Sequence, residues 1–197
     1  MHKYTFAILD TETTGLNYKK GNYQDRIVEL AVIKIRNGEV QKEEYFSVLI
    51  NPERKIPPAA SRINKITDDM VADAPLFKDI AEEFLDFLKD VDYLFIHNAK
   101  FDLGFLEAET EKCKRKLILP KTVCSVDLSR ELYPELKAHN LNAIAKRFNL
   151  SIKENECRHR ALGDVILTGE ILLKFYEDNP LIFTGTIESL HNSQYLS

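Results

Sequence analysis

The chain predicts an α/β fold in which helices cover a mixed five-stranded sheet. Strand-like runs crowd the first fifty residues, and an Asn37-Gly38 pair joins two of them. After Pro75, short apolar runs alternate with stretches whose apolar residues recur at helical spacing.

Tyr4, Phe6, Ile8 and Leu9 form an apolar run without proline that is expected to end at Asp10-Thr11-Glu12-Thr13-Thr14-Gly15-Leu16. Gly21 to Gln24 reads as a connection. Arg26 to Arg36 carries Ile27, Leu30, Val32, Ile33 and Ile35 in strand fashion. Asn-Gly suits a two-residue hairpin turn because both central residues take positive φ, so Val40 to Ile50 is expected to return antiparallel. Pro52, Pro57 and Pro58 break the pattern into a loop with short helical turns, in which Thr67-Asp68-Asp69 offers a cap before Met70-Val71. From Pro75, at an expected first helical position, Phe77, Ile80, Ala81, Phe84, Phe87 and Leu88 predict a helix to about Lys89.

Tyr93 to Ile96 is too short for helical turns and reads as a buried strand. The next helix has an apolar face beginning at Leu103, and basic residues around Lys114 complement its C-terminal dipole. Thr122 to Ser125 supplies a fifth strand. Helices are expected at Asp127 to Leu132 and Leu141 to Phe148, separated by Pro134 and the Ala138-His139-Asn140 turn, with Asn140 a candidate cap. The last long helix should run from about Arg160 to Tyr176 and end at Asn179-Pro180. One domain over residues 1–178 is thus expected, followed by a tail over 179–197. The segment Leu181 to Ser197 reads as detached, either frayed or partner-binding.

At 197 residues, 44% hydrophobic and 29% charged, the composition is that of one soluble domain. There is no apolar stretch near the ~20 residues of a membrane span and no N-terminal signal pattern, which predicts a cytoplasmic protein. Cys113, Cys124 and Cys157 are odd in number and lack any C-x-x-C, against a disulfide framework or zinc site. A net charge of -4 argues against bulk electrostatic coating of nucleic acid. It leaves room for a phosphate substrate, since cations held by acidic ligands cancel their charge where phosphate arrives. The basic clusters around Lys112 to Lys116 and at Lys146-Arg147 read as solvated helix faces, and a third lies at Arg158 and Arg160.

The candidate chemistry lies in carboxylates. Period-two alternation sends Asp10 and Glu12 to one face of the first strand, while Thr11 points away. Two like charges held together call for a cation, and hard oxygen ligands suit Mg²⁺ or Mn²⁺. Asp102 follows the 93–96 strand in a position to face that pair, although a helix first-turn carboxylate can equally serve free N–H groups. Asp164 stands five residues after His159, so both can project from the start of the last helix toward a common region. Each signal is weak alone; together they place acidic and histidine residues at the ends of three elements.

The segments Asp10-Thr11-Glu12-Thr13-Thr14-Gly15-Leu16, His97-Asn98-Ala99-Lys100-Phe101-Asp102 and His159-Arg160-Ala161-Leu162-Gly163-Asp164 resemble the three ordered motifs of the DEDDh 3′-5′ exonucleases. The match covers roughly Lys3 to Tyr176. Asn51-Pro52, Ile63 to Val71 and Glu131-Leu132-Tyr133-Pro134 are similar to the DnaQ-like branch, which includes the epsilon proofreading subunit of bacterial DNA polymerase III.

This resemblance implies a ribonuclease-H-like fold and hydrolysis at the 3′ end of DNA, with RNA as the alternative substrate. A DNA polymerase III catalytic subunit is the implied protein partner. Asp10, Glu12, Asp102 and Asp164 would hold two divalent ions, Mg²⁺ or Mn²⁺, with His159 as general base. Thr13 would contact the terminal 3′-hydroxyl, Leu16 would wedge against the terminal base, and Phe101 would help form its pocket. Ile63, Asn64 and Asn98 are further substrate-side candidates, and His97 would support the site from behind. The same positions have plainer readings: Leu16 as a buried loop residue, Thr13 serving local backbone groups, and Phe101 filling the core.

Overall fold

The computed structural model describes residues 3–19, 21, 24–150 and 160–194. Five strands, β1 (Phe6–Thr13), β2 (Ile27–Arg36), β3 (Glu39–Leu49), β4 (Tyr93–Ile96) and β5 (Lys121–Cys124), form one sheet in the order β3-β2-β1-β4-β5. β1, β2 and β3 are antiparallel neighbours, whereas β4 and β5 join parallel. The hairpin between β2 and β3 turns at Asn37 and Gly38, whose φ values of 54° and 80° are those the dipeptide predicts.

Parallel neighbours need crossovers, and helices supply them. The connection to β4 contains α1 (Pro58–Asn64), α2 (Asp68–Val71) and α3 (Phe77–Phe87); α4 (Ala99–Lys112) links β4 to β5. Then come α5 (Ser125–Leu132), α6 (Leu141–Arg147), α7 (Ala161–Asp178) and α8 (Phe183–Gln194). Asn140 caps α6 as expected, its Oδ1 accepting from the Ala143 N–H at 3.0 Å. Asp68 does not cap α2; its Oδ1 takes the Ile56 N–H at 2.9 Å and ties down the preceding loop.

Alternation along β1 divides the core. Phe6 and Ile8 pack with Val165, Leu172 and Phe175 of α7, while Ala7 and Leu9 pack with Phe84 of α3 and Phe105 of α4. β2 is buried on both faces from Ile27 to Ile35 because it is central and covered twice, so its acidic Glu29 is buried too.

The carboxylates sit on the first strand as expected: β1 continues through Asp10 and Glu12 because β2 keeps pairing with it, Asp10 opposite Ala31 and Glu12 opposite Glu29. On its other edge, pairing with β4 ends at Leu9 opposite Ile96. The tail departs from its expectation. Residues 183–194 are helical and docked, with Phe183 and Ile187 buried and Leu190 packed against the same cluster, because their i, i+4, i+7 spacing presents one apolar stripe.

Phe183→Ala should therefore cost about 3–5 kcal/mol, the range for emptying a buried aromatic site, seen as a lower urea midpoint at unchanged slope. An unchanged midpoint would mean that this helix is not part of the cooperative core.

Candidate active site

Asp10 and Glu12 leave β1 on one face, and Asp164 reaches them from the first turn of α7. Carboxylate oxygens of these three residues lie within 4.8 Å of one another. Glu29 fixes the start of α7. Its Oε2 accepts the Ala161 N–H at 2.9 Å, and its two oxygens receive the Arg160 guanidinium at 2.6–3.1 Å. Sequence reasoning passed over Glu29, although an acid inside the apolar run Ile27-Val28-Glu29-Leu30-Ala31-Val32 is the kind of residue burial permits only with a partner.

The cluster is electrostatically strained without a counter-ion. Burial, then the charges of Asp164, Glu29 and Asp102, push the Glu12 carboxyl up to about 8, while Arg160 opposes the shift. Hard oxygen donors that repel one another in this way fit a divalent cation, whose charge would bring Glu12 back to its ionised form.

Asp102 stands beside this trio rather than in it. It is 2% exposed, and its Oδ1 accepts both the Thr11 N–H at 3.0 Å and the Thr11 hydroxyl at 2.6 Å. Burial pushes its carboxyl up to about 7 against those hydrogen bonds. Thr11, which points away from Asp10 and Glu12, is thus the link between β1 and α4. His159 and Cys157 lie outside the described residues.

On the substrate side, Leu16 is 82% exposed, which removes its reading as a buried loop residue. Its turn is braced by Asp25, which accepts from the Thr14 hydroxyl and the Asn17 N–H, each at 3.0 Å. A Cβ on Gly15 would sit 2.3 Å from Asp25 Oδ2, so a larger residue there would have to displace the bracing carboxylate. Thr13 is buried and its hydroxyl donates to the Gly15 carbonyl at 2.6 Å. Phe101 is half-buried against Phe105, with ring centroids 5.0 Å apart.

Asn64, a substrate-side candidate, is buried beside the end of β1. At 1% exposure, its amide nitrogen donates to the Thr13 carbonyl and its Oδ1 accepts the Ile66 N–H, so it supports the strand end from within. Ile63 is exposed, as is Asn98, which enters α4 with a φ of 65°. Asp10 and Asp164 open into a cleft of about 600 Å³ that Arg130, Lys137 and His139 also line.

A carboxylate cluster able to hold a divalent cation, on a ribonuclease-H-like sheet, is the arrangement of a nuclease. Residues 7–172 match the exonuclease family model, and the chain belongs to that family. It is 34% identical over 195 residues to the DNA polymerase III subunit epsilon of Buchnera aphidicola subsp. Schizaphis graminum, covering 96% of this chain and 82% of the relative. It is 36% identical over 184 residues to the PolC-type DNA polymerase III of Bacillus subtilis, covering 90% of this chain but only 12% of that longer protein. Among solved structures, exonuclease X in complex with 5′ overhanging duplex DNA superposes with a TM-score of 0.73 at 28% identity, covering 95% of this chain and 98% of the other. Among the described residues no helix is long and apolar enough to cross a membrane.

The Glu12 shift has a definite sign. Between its ordinary 4.5 and about 8 the metal-free folded state holds a proton that the unfolded chain releases, so this stabilising contribution is complete at low pH and lost as pH rises through 8. Melting curves of wild type and Glu12→Gln in chelator should show wild type losing stability relative to the variant across that range. Mn²⁺ should raise the wild-type Tm more at pH 8 than at pH 6, and parallel pH curves for the two proteins would refute the shift.

Proposed function

We propose that this chain is a 3′-5′ exonuclease that removes nucleoside 5′-monophosphates from the 3′ end of DNA, in replication proofreading or repair. The supporting observation is the Asp10, Glu12 and Asp164 cluster, its oxygens within 4.8 Å, opening into a cleft in a chain of the exonuclease family. Two divalent ions, Mg²⁺ or Mn²⁺, would supply Lewis acidity and charge neutralisation at the scissile phosphate. Asp10, Glu12 and Asp164 would hold them, with Asp102 completing the set from its seat on Thr11.

His159 takes the proton from the attacking water. The new bond joins that oxygen to phosphorus, the bond to the upstream 3′-oxygen breaks, and the departing oxygen takes a proton from solvent, so the shortened strand leaves with a 3′-hydroxyl. Thr13 positions the terminal 3′-hydroxyl. Leu16 and Phe101 hold the terminal base through apolar contact, which tolerates any base. Exposure of Leu16 on a braced turn supports its part in this reading. The likeness to a polymerase III epsilon subunit supports a polymerase as partner.

The test is a time course with Mg²⁺ or Mn²⁺ on 5′-labelled DNA and RNA single strands, with and without a blocked 3′ end. A DNA-preferring ladder abolished by the block is expected; a preference for RNA would move the protein to RNA trimming, and no cleavage of either would leave a binding module. Asp10→Ala should abolish cleavage while retaining the fold. His159→Ala should lower kcat by about 10² to 10⁴-fold and spare metal affinity, the usual range for a lost general base. A fall in metal affinity would make His159 a ligand instead.

A further inference from the structure

The basic end of the cleft takes no part in the chemistry above, yet it is built from the core outward. Ser125 and Ser129 sit one turn apart on the buried side of α5, at 2% and 0% exposure. Ser125 Oγ lies 2.9 Å from His97 Nδ1, and Ser129 Oγ lies 2.8 Å from His139 Nδ1. Both histidines line the cleft that holds Asp10 and Asp164. With Nδ1 engaged by a buried hydroxyl, the His139 ring orientation is set and Nε2 is its remaining polar atom. Exposed Lys137 stands two residues away in the same turn, and Asn140 is committed to capping α6. Arg130, also on the cleft wall, pairs with Asp127 at 2.8 Å.

A nucleic-acid strand entering this cleft brings more than one phosphate. On the exonuclease reading, the scissile one would lie over the carboxylates and the cations they would hold. The next phosphate on the 5′ side has no such ions, and in a chain of net charge -4 it needs a local donor. Lys137 and His139 are the donors at that end, with Arg130 on the same wall. Resting on the exonuclease reading above, we propose that Lys137 and His139 form a subsite for the backbone phosphate immediately 5′ of the scissile bond, with Arg130 beside it and Ser129 orienting the His139 ring. Contacts to a phosphodiester carry no base information, which suits removal of any nucleotide.

The test measures binding and catalysis separately in the full chain. Fluorescence anisotropy with a labelled oligodeoxynucleotide in Ca²⁺ should show Lys137→Ala/His139→Gln binding about ten-fold more weakly than wild type. The double variant's salt dependence should also be shallower by about 0.7 in the log-log slope, the increment for one single-strand phosphate. Ser129→Ala should weaken binding in the wild-type background and have no further effect once His139 is Gln, a coupling that mere loss of stability would not produce. Lys137 is exposed, so Lys137→Ala alone keeps the test readable should the other variants fold poorly.

In turnover, selectivity for the oligonucleotide over the p-nitrophenyl ester of thymidine 5′-monophosphate, which carries only the scissile phosphate, should fall about ten-fold in the double variant. Unchanged affinity and salt slope, or equal losses on both substrates, would overturn the subsite. Wild-type protein inert toward both substrates in Mn²⁺ would overturn the exonuclease reading instead, and the anisotropy series would still decide the subsite.

Discussion

The arrangement depends on β1 continuing past the end of β4. From Asp10 to Thr13 the strand keeps β2 on one edge while β4 has stopped at the other. A backbone N–H left on such an edge must find a partner or lose free energy to burial. Thr11 finds Asp102, which accepts both its N–H and its hydroxyl. That pair of hydrogen bonds seats the first turn of α4 against the strand and sets a fourth carboxylate beside Asp10, Glu12 and Asp164. One unpaired strand edge thus becomes an opening lined with acids.

Such an opening concentrates negative charge, and the fold answers it unevenly. Glu29 is opposite Glu12 but is committed to Arg160 and the first N–H of α7, so its charge serves the scaffold. A bidentate arginine and a helix N-terminus are both suited to a buried carboxylate. Among the described residues Glu12 has no comparable partner, and its raised proton affinity shows the cost. The same repulsion would be relieved by a divalent cation held among these oxygens. Net negative charge and a phosphate substrate are therefore compatible: attraction would be local, at cations held by the cluster and at a few basic side chains along the cleft.

The two helical layers contribute different parts. The face with α3 and α4 delivers Asp102 and Phe101, whereas the face with α5 to α8 delivers Asp164, His139 and the core that holds them. Much of this was legible from local rules. Asn37-Gly38, the Tyr93 to Ile96 run, the Asn140 cap and the spacing of the α7 apolar residues all predicted the elements found, because turn chemistry and periodicity are properties of a few adjacent residues. The tail was less legible: α8 formed because its apolar stripe of Phe183, Ile187 and Leu190 packs into the core.

Asp10 and Glu12 on one face of a strand, and the helical start that carries Asp164, were decided by the sequence through pleat and periodicity. Which acids would meet was not. Asp102 is drawn to Thr11, Asn64 turns inward to the Thr13 carbonyl, and Glu29 is withdrawn into a pair with Arg160. Leu16 is held outward by the brace from Asp25 to its neighbours. These outcomes link residues far apart in the chain, and their free energies depend on burial and on the partners that packing supplies. Local sequence can nominate a carboxylate or an apolar tip; only the packed tertiary structure decides whether it faces a cation, a backbone amide or solvent.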